Sequence, residues 1–162
     1  MSFNFPEEFK VVLGGSVLPI QAANALSTGD YISMKNVNKA WAIITHVGAN
    51  DTDLTLEFSE ASDVAGSDAA DVTKTFPIWR DNDAGTSSDT VTRSTDAATV
   101  AIDPATANPV LVIMEWDPAK HTAGLDCIAV KGNSGHGSNN VHVLWILDMR
   151  FRGVPFPSVI VD

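Results

Sequence analysis

Hydrophobic residues in this chain come in short runs, several of them with a period of two. The clearest is the run 52–59, where Leu54, Leu56 and Phe58 fall on one side and Asp53, Thr55 and Glu57 on the other. Successive side chains of a strand point to opposite faces, so this alternation predicts a strand with one buried face. The run 40–47 carries β-branched and aromatic weight in Trp41, Ile43 and Ile44 and predicts a second strand. Gly48, Ala49, Asn50 and Asp51 form a turn signal between the two, which together read as a β-hairpin.

Further strands are expected at residues 30–34, 72–79, 90–94, 99–102, 110–116, 125–130 and 141–151. Pro77 places an edge or a bulge near the end of the 72–79 run, because proline has no N–H to offer a ladder. The run 110–116 is apolar in both phases, which predicts a strand buried on both faces or standing at a packed interface. Residues 61–70, 80–89, 103–109 and 131–140 are rich in small, polar, Gly or Pro residues and are expected to be loops.

About eight or nine strands follow from this pattern, with no convincing helix and no repeat at a fixed period. The expected fold is all-β: a two-sheet antiparallel β-sandwich, jelly-roll-like, with an extended N-terminal arm and C-terminal tail. The arm is assigned to residues 1–15, the sandwich domain to 16–152 and the tail, with Pro155 and Pro157, to 153–162. Phe3, Phe5 and Phe9 alternate with polar residues in the arm, and Phe156 lies in the tail. Segments this short cannot bury such rings alone, so they dock on their own domain or on a neighbour. Phe3, Phe5, Phe9 and Phe156 are therefore the expected partner contacts.

Composition narrows the functional classes. The chain has 162 residues, 44% of them apolar, which suits one globular domain. Its formal net charge is −10 and it has no basic stripe, so neither nucleic acid nor an anionic membrane surface is expected as a partner. The longest apolar run, 141–147, is far short of the roughly 20 residues that cross a bilayer. The first ten residues include Glu7 and Glu8 and lack the pattern of a signal peptide. A single cysteine, Cys127, allows no intrachain disulfide. Synthesis in a reducing cytoplasm fits both features.

The chain shows little sign of catalytic or metal chemistry. His46, His121, His136 and His142 show no paired ligand spacing, and Cys127 has no partner thiol. His121 and His136 are expected to be exposed in loops, and His142 to project opposite Val141 and Val143. A calcium loop starting at Asp81 fails, because Gly85 falls at its fifth position and Thr92 at its twelfth. The glycines from Gly132 to Gly137 lack the Lys-Ser/Thr of a phosphate loop and precede a strand. No catalytic, cofactor-binding or metal-binding residue is assigned, and no enzyme activity or cofactor is expected. Trp41, Trp79, Trp116 and Trp145 all fall in or beside strands. They are expected in the core or at an interface, the alternative being an exposed platform for glycans.

Several stretches between residues 30 and 152 carry a resemblance when taken in order. They are Trp41-Ala42-Ile43-Ile44, the turn at 48–51, and Leu54-Thr55-Leu56-Glu57-Phe58. After a loop rich in Ala, Ser and Asp come Phe76-Pro77-Ile78-Trp79-Arg80, Leu125-Asp126-Cys127-Ile128-Ala129-Val130 and Met149-Arg150-Phe151-Arg152. The whole resembles the small β-sandwich decoration, or cement, proteins of tailed-bacteriophage capsids. That resemblance implies a structural virion protein on the outside of the assembled head, stabilising contacts between subunits of the major capsid protein. It also implies a homo-oligomer, with a trimer favoured, made in the host bacterial cytoplasm and located on the capsid surface. The alternative is a glycan-binding or tail-associated β-sandwich module.

Overall fold

The computed structural model describes residues 9–14, 18–19, 27–47, 54–82, 84, 90–102, 110–134 and 140–150. Their strands run in chain order as β1 (Phe9–Leu13), β2 (Leu18–Pro19), β3 (Ser27–Thr28), β4 (Ile32–Ser33), β5 (Val37–Val47), β6 (Leu54–Ala61) and β7 (Ala70–Asp71). There follow β8 (Phe76–Asp81), β9 (Thr92–Ala97), β10 (Thr99–Ile102), β11 (Val110–Trp116), β12 (Cys127–Ser134) and β13 (Asn140–Met149). Nine of these have four or more residues, and one 3-10 turn, η1 (Pro118–Lys120), precedes β12.

The strands form two antiparallel sheets packed face to face, as an all-β sandwich requires. Sheet A has the order β1-β13-β5-β11-β8-β9, with β2 also on β13. Sheet B has the order β10-β6-β12-β3, with β4 on β12 and β7 on β6. The core lies between them. Sheet A contributes Ala42 and Ile44 from β5, Val112, Met114 and Trp116 from β11, and Val143, Trp145 and Leu147 from β13. Sheet B answers with Leu54, Leu56 and Phe58 from β6, and Ile128 and Val130 from β12. Phe58 sits at the centre of an aromatic cluster. Its ring lies 4.5 Å from Phe76, 5.5 Å from Trp116 and 5.7 Å from Trp145, centroid to centroid.

Of the run expected at 52–59, residues 54–59 lie in β6, and its Leu54, Leu56 and Phe58 face the protein's own core. The hairpin expected between it and 40–47 does not form. β5 pairs with β11 and β13, whereas β6 pairs with β10, β7 and β12, so the 48–51 segment joins strands of different sheets. A turn signal shows that the chain reverses; it does not fix which sheet the next strand joins. Pro77 marks a register shift between Phe76 and Ile78 where β8 meets β9, which is the bulge its missing N–H called for. Of the loop expected at 131–140, residues 131–134 belong to β12, which runs on to Ser134 opposite Leu54. Within the expected arm, residues 9–13 are strand β1, paired along β13 from Asp148 to Leu144.

Each sheet ends in an interrupted edge strand: β1 and β2 follow one another along β13, and β3 and β4 along β12. The two edges meet at a pair of glycines. The N–H of Gly14 donates to the carbonyl of Val143 at 3.0 Å, and its own carbonyl accepts from the N–H of Asp30 at 3.3 Å. A Cβ on Gly14 would stand 2.6 Å from Trp145 Nε1, and one on Gly29 would stand 2.5 Å from the Gly14 carbonyl oxygen. Such distances lie below van der Waals contact, so the closed edge of the sandwich needs glycine at both places.

Candidate functional site

The outer faces of the two sheets differ in chemistry. Sheet B carries a polar network on its outer face. Lys131 on β12 pairs with Glu57 at 3.5 Å and hydrogen-bonds Asp71 from β7. Burial disfavours the Lys131 charge, but the bond and charge of Asp71, with those of Glu57, outweigh it and raise its pKa. Tyr31 and Ser59 share a 2.8 Å hydrogen bond between their hydroxyls, and the Ser59 hydroxyl also donates to the Ala70 carbonyl at 3.3 Å. The segment through β7 is thereby tied along this face.

Sheet A is apolar on its outer face. Strand register lines up one row as Leu13, Leu144, Ile43, Ile113, Trp79 and Arg93. The next row reads Val11, Ile146, Trp41 and Glu115. Polar rows border this band. His142, Thr45 and Asp81 lie with Leu111 on one side, and Lys39 and Asp148 with Phe9 on the other. Leu13 is 68% exposed and Val11 47%, while Trp41, Ile43, Ile113, Leu144 and Ile146 are half-buried. A contiguous apolar patch of this kind on a sheet face is the usual mark of an interaction surface.

Trp41, Glu115 and Lys39 are engaged with each other beside the band, as are Arg93 and Asp96. The indole N–H of Trp41 donates to Glu115 Oε2 at 2.9 Å, and Lys39 holds Glu115 Oε1 at 2.9 Å. Phe9 packs its ring 6.2 Å from that of Trp41. The Arg93 guanidinium lies 4.8 Å over the Trp79 ring and pairs with Asp96. Both outer tryptophans therefore have ring neighbours already, whereas Trp116 and Trp145 are wholly buried in the core.

A second constellation closes one end of the core. Glu60 is the last inward-facing residue of β6, paired across from Ile128. Asp117 caps η1 by accepting from the Ala119 N–H at 2.9 Å, and the turn swings His121 inward. Trp116 Nε1–H donates to His121 Nε2 at 3.2 Å, His121 Nδ1 lies 3.1 Å from Glu60 Oε1, and the Thr122 N–H donates to the same oxygen at 3.2 Å. The expectation of an exposed His121 is corrected here: its ring fills the core's polar end, because Trp116 and Glu60 offer it one donor and one acceptor. An indole N–H only donates, so Nε2 carries no proton and the ring is neutral with its proton on Nδ1.

Burial lowers the His121 pKa, against the opposing influence of Glu60 and Asp126. The unfolded histidine keeps its ordinary value of 6.5 and takes up a proton first as pH falls. Stability is thus expected to be full above that value and to decline as pH drops below it toward the lower folded pKa. Urea midpoints measured between pH 8 and pH 5 check this, and His121→Gln is expected to flatten the slope.

No other chemistry gathers among the described residues. Among the described residues no group of three or more His, Cys, Asp or Glu is placed to hold a metal. Burial pushes the Cys127 thiol up to about 11, so it is not poised as a nucleophile. No helix among the described residues is long and apolar enough to cross a membrane. His142 is exposed, opposite buried Val141 and Val143, as its strand position requires. Of the expected partner contacts, Phe9 joins the outer face of sheet A; Phe3, Phe5 and Phe156 lie outside the described residues, as does His136. The chain matches no known protein family, no curated protein and no solved structure.

Proposed function

We propose that this chain is a structural virion protein of the capsid-decoration kind, one that acts by docking its surface and not by catalysis. Its site of action is the outer surface of an assembled phage head, and its partner there is the major capsid protein. The observation that carries the reading is the contrast between the two sheets: sheet A presents an apolar band five strands wide, while the outer face of sheet B carries a polar network around Lys131 and Ser59. A lattice multiplies such contacts, so each one needs only modest strength. The acidic remainder of the surface would face away from packaged nucleic acid. An oligosaccharide platform needs open ring faces, and Trp41 and Trp79 are already in contact with Phe9 and Arg93.

Sedimentation through sucrose with shells of the cognate major capsid protein tests the reading. The protein is expected to travel with the shells at a fixed ratio to the capsid subunit. If it stays at the top of the gradient, and its tryptophan fluorescence responds instead to host polysaccharide, the glycan-binding alternative replaces it.

A further inference from the structure

We infer that the cleft at the His121 end of the sandwich binds a carboxylate carried on a short apolar stem, with Arg150 gripping the carboxylate. The cleft has a volume of about 400 Å³, in the lower part of the range of small-ligand sites. Two tight turns form its walls. In the first, the Val37 N–H donates to the Met34 carbonyl at 3.1 Å, and Asn36 takes a left-handed φ of 62°. In the second, the Leu125 N–H donates to the Thr122 carbonyl at 2.9 Å, and Gly124 takes a φ of 88°. The turns are joined to each other and to the end of β13. The Met34 N–H donates to the Asp126 carbonyl at 2.8 Å, and the Arg150 N–H donates to the Asn36 carbonyl at 2.8 Å. A site framed in this way before binding loses little affinity to ordering.

The lining supplies two kinds of surface. Met34 and Val37, both buried, and Leu125 and Pro118, both half-buried, are apolar. His121 adds ring carbon only, because its two nitrogens are bonded to Trp116 and Glu60. The charged lining is Lys35, Asp126 and Arg150, two bases to one acid in a chain with ten bases and twenty acids. Lys35 already pairs with Asp126 at 3.3 Å. The Arg150 side chain is exposed and has no ion pair or hydrogen bond among the described residues. The Asn36 carboxamide is likewise without a partner there and offers a further donor. A spare guanidinium selects a planar anion that it can hold through two parallel N–H donors, which a carboxylate is. The adjoining apolar lining suits a hydrocarbon stem, and a polyanion would ask for more bases than the cleft has. The site shares no residue with the apolar band of sheet A and does not rest on the role proposed for that band.

Amide chemical-shift mapping of the isotope-labelled full chain tests this, with sodium hexanoate as the probe and hexan-1-ol as its uncharged counterpart. Hexanoate is expected to give saturable shifts centred on Asn36, Gly124 and Leu125, and hexan-1-ol much weaker ones. Arg150→Gln should weaken hexanoate binding about tenfold or more, through loss of a charge-assisted pair. Arg150 is exposed, so its replacement should leave folding alone, with far-UV circular dichroism as the check. Arg80→Gln removes the same charge from β8 and should leave binding unchanged. A short peptide ending in leucine with a free carboxylate identifies the source. Tighter binding than hexanoate assigns the site to the C-terminus of a partner chain, and weaker binding to a free acid; either result supports the site. Absence of saturable shifts overturns the inference. So do shifts centred elsewhere, an equal response to hexan-1-ol, or hexanoate binding that Arg150→Gln leaves intact.

Discussion

Replacing Phe58 by alanine is expected to cost about 3–5 kcal/mol of folding stability, the range for deleting a large ring from a packed core. The site explains why the upper part of that range applies. Phe58 has no solvent exposure, and it touches Phe76 of β8, Trp116 of β11 and Trp145 of β13. It is therefore the point at which β6 of sheet B engages three strands of sheet A. Three rigid rings cannot collapse into the space it leaves, so most of the cavity persists. Equilibrium unfolding in urea should show a large drop in midpoint with little change in slope. Phe58→Leu, which keeps much of the volume, should lose clearly less.

The second large effect is expected at Glu60. Glu60→Ala should cost about 2–4 kcal/mol, because the Thr122 N–H and the His121 Nδ1–H both lose their acceptor where the core ends. The Trp116 indole is affected next, since its own acceptor is the far nitrogen of the same ring. Glu60→Gln keeps a carboxamide oxygen in the position of Oε1 and should cost less than about 1 kcal/mol. The contrast between the two variants, again by urea unfolding, distinguishes an oxygen needed as an acceptor from one needed for its charge. If both variants lose stability equally, charge and not acceptance holds His121 in place.

The parts of the fold that were legible in the sequence are those set by local alternation. The 110–116 run coincides with β11, and the inward set Leu54, Leu56 and Phe58 was visible as a period of two. Strand partners were not legible. β5 finds its neighbours in β11 and β13, far along the chain, and no turn residue records that choice. The end-of-core constellation was hidden for the same reason: Glu60 and His121 are 61 positions apart.

The outer face of sheet A did leave a trace. Val110–Trp116 is apolar in both phases, as are the central residues of β5 and β13, whereas β6 alternates. A strand apolar in both phases has to hide its second face or present it to something. What could not be read was that Ile43, Ile113, Leu144 and Ile146 share one row or the next, because that depends on register between distant strands. Phe9 was singled out as a contact from its place in the arm. It reaches the face by a different route, as part of an edge strand in register with Asp148.

The proposed function places the protein's working surface on the outer face of sheet A. Hydroxyl-radical footprinting of the free and the assembled protein tests it most directly, with oxidation read residue by residue. Strong protection on assembly is expected at Val11, Leu13 and Trp41, with Tyr31 beside sheet B unchanged. Protection confined to Tyr31 and the segment around it, with Leu13 and Trp41 oxidised as freely as before, would contradict it.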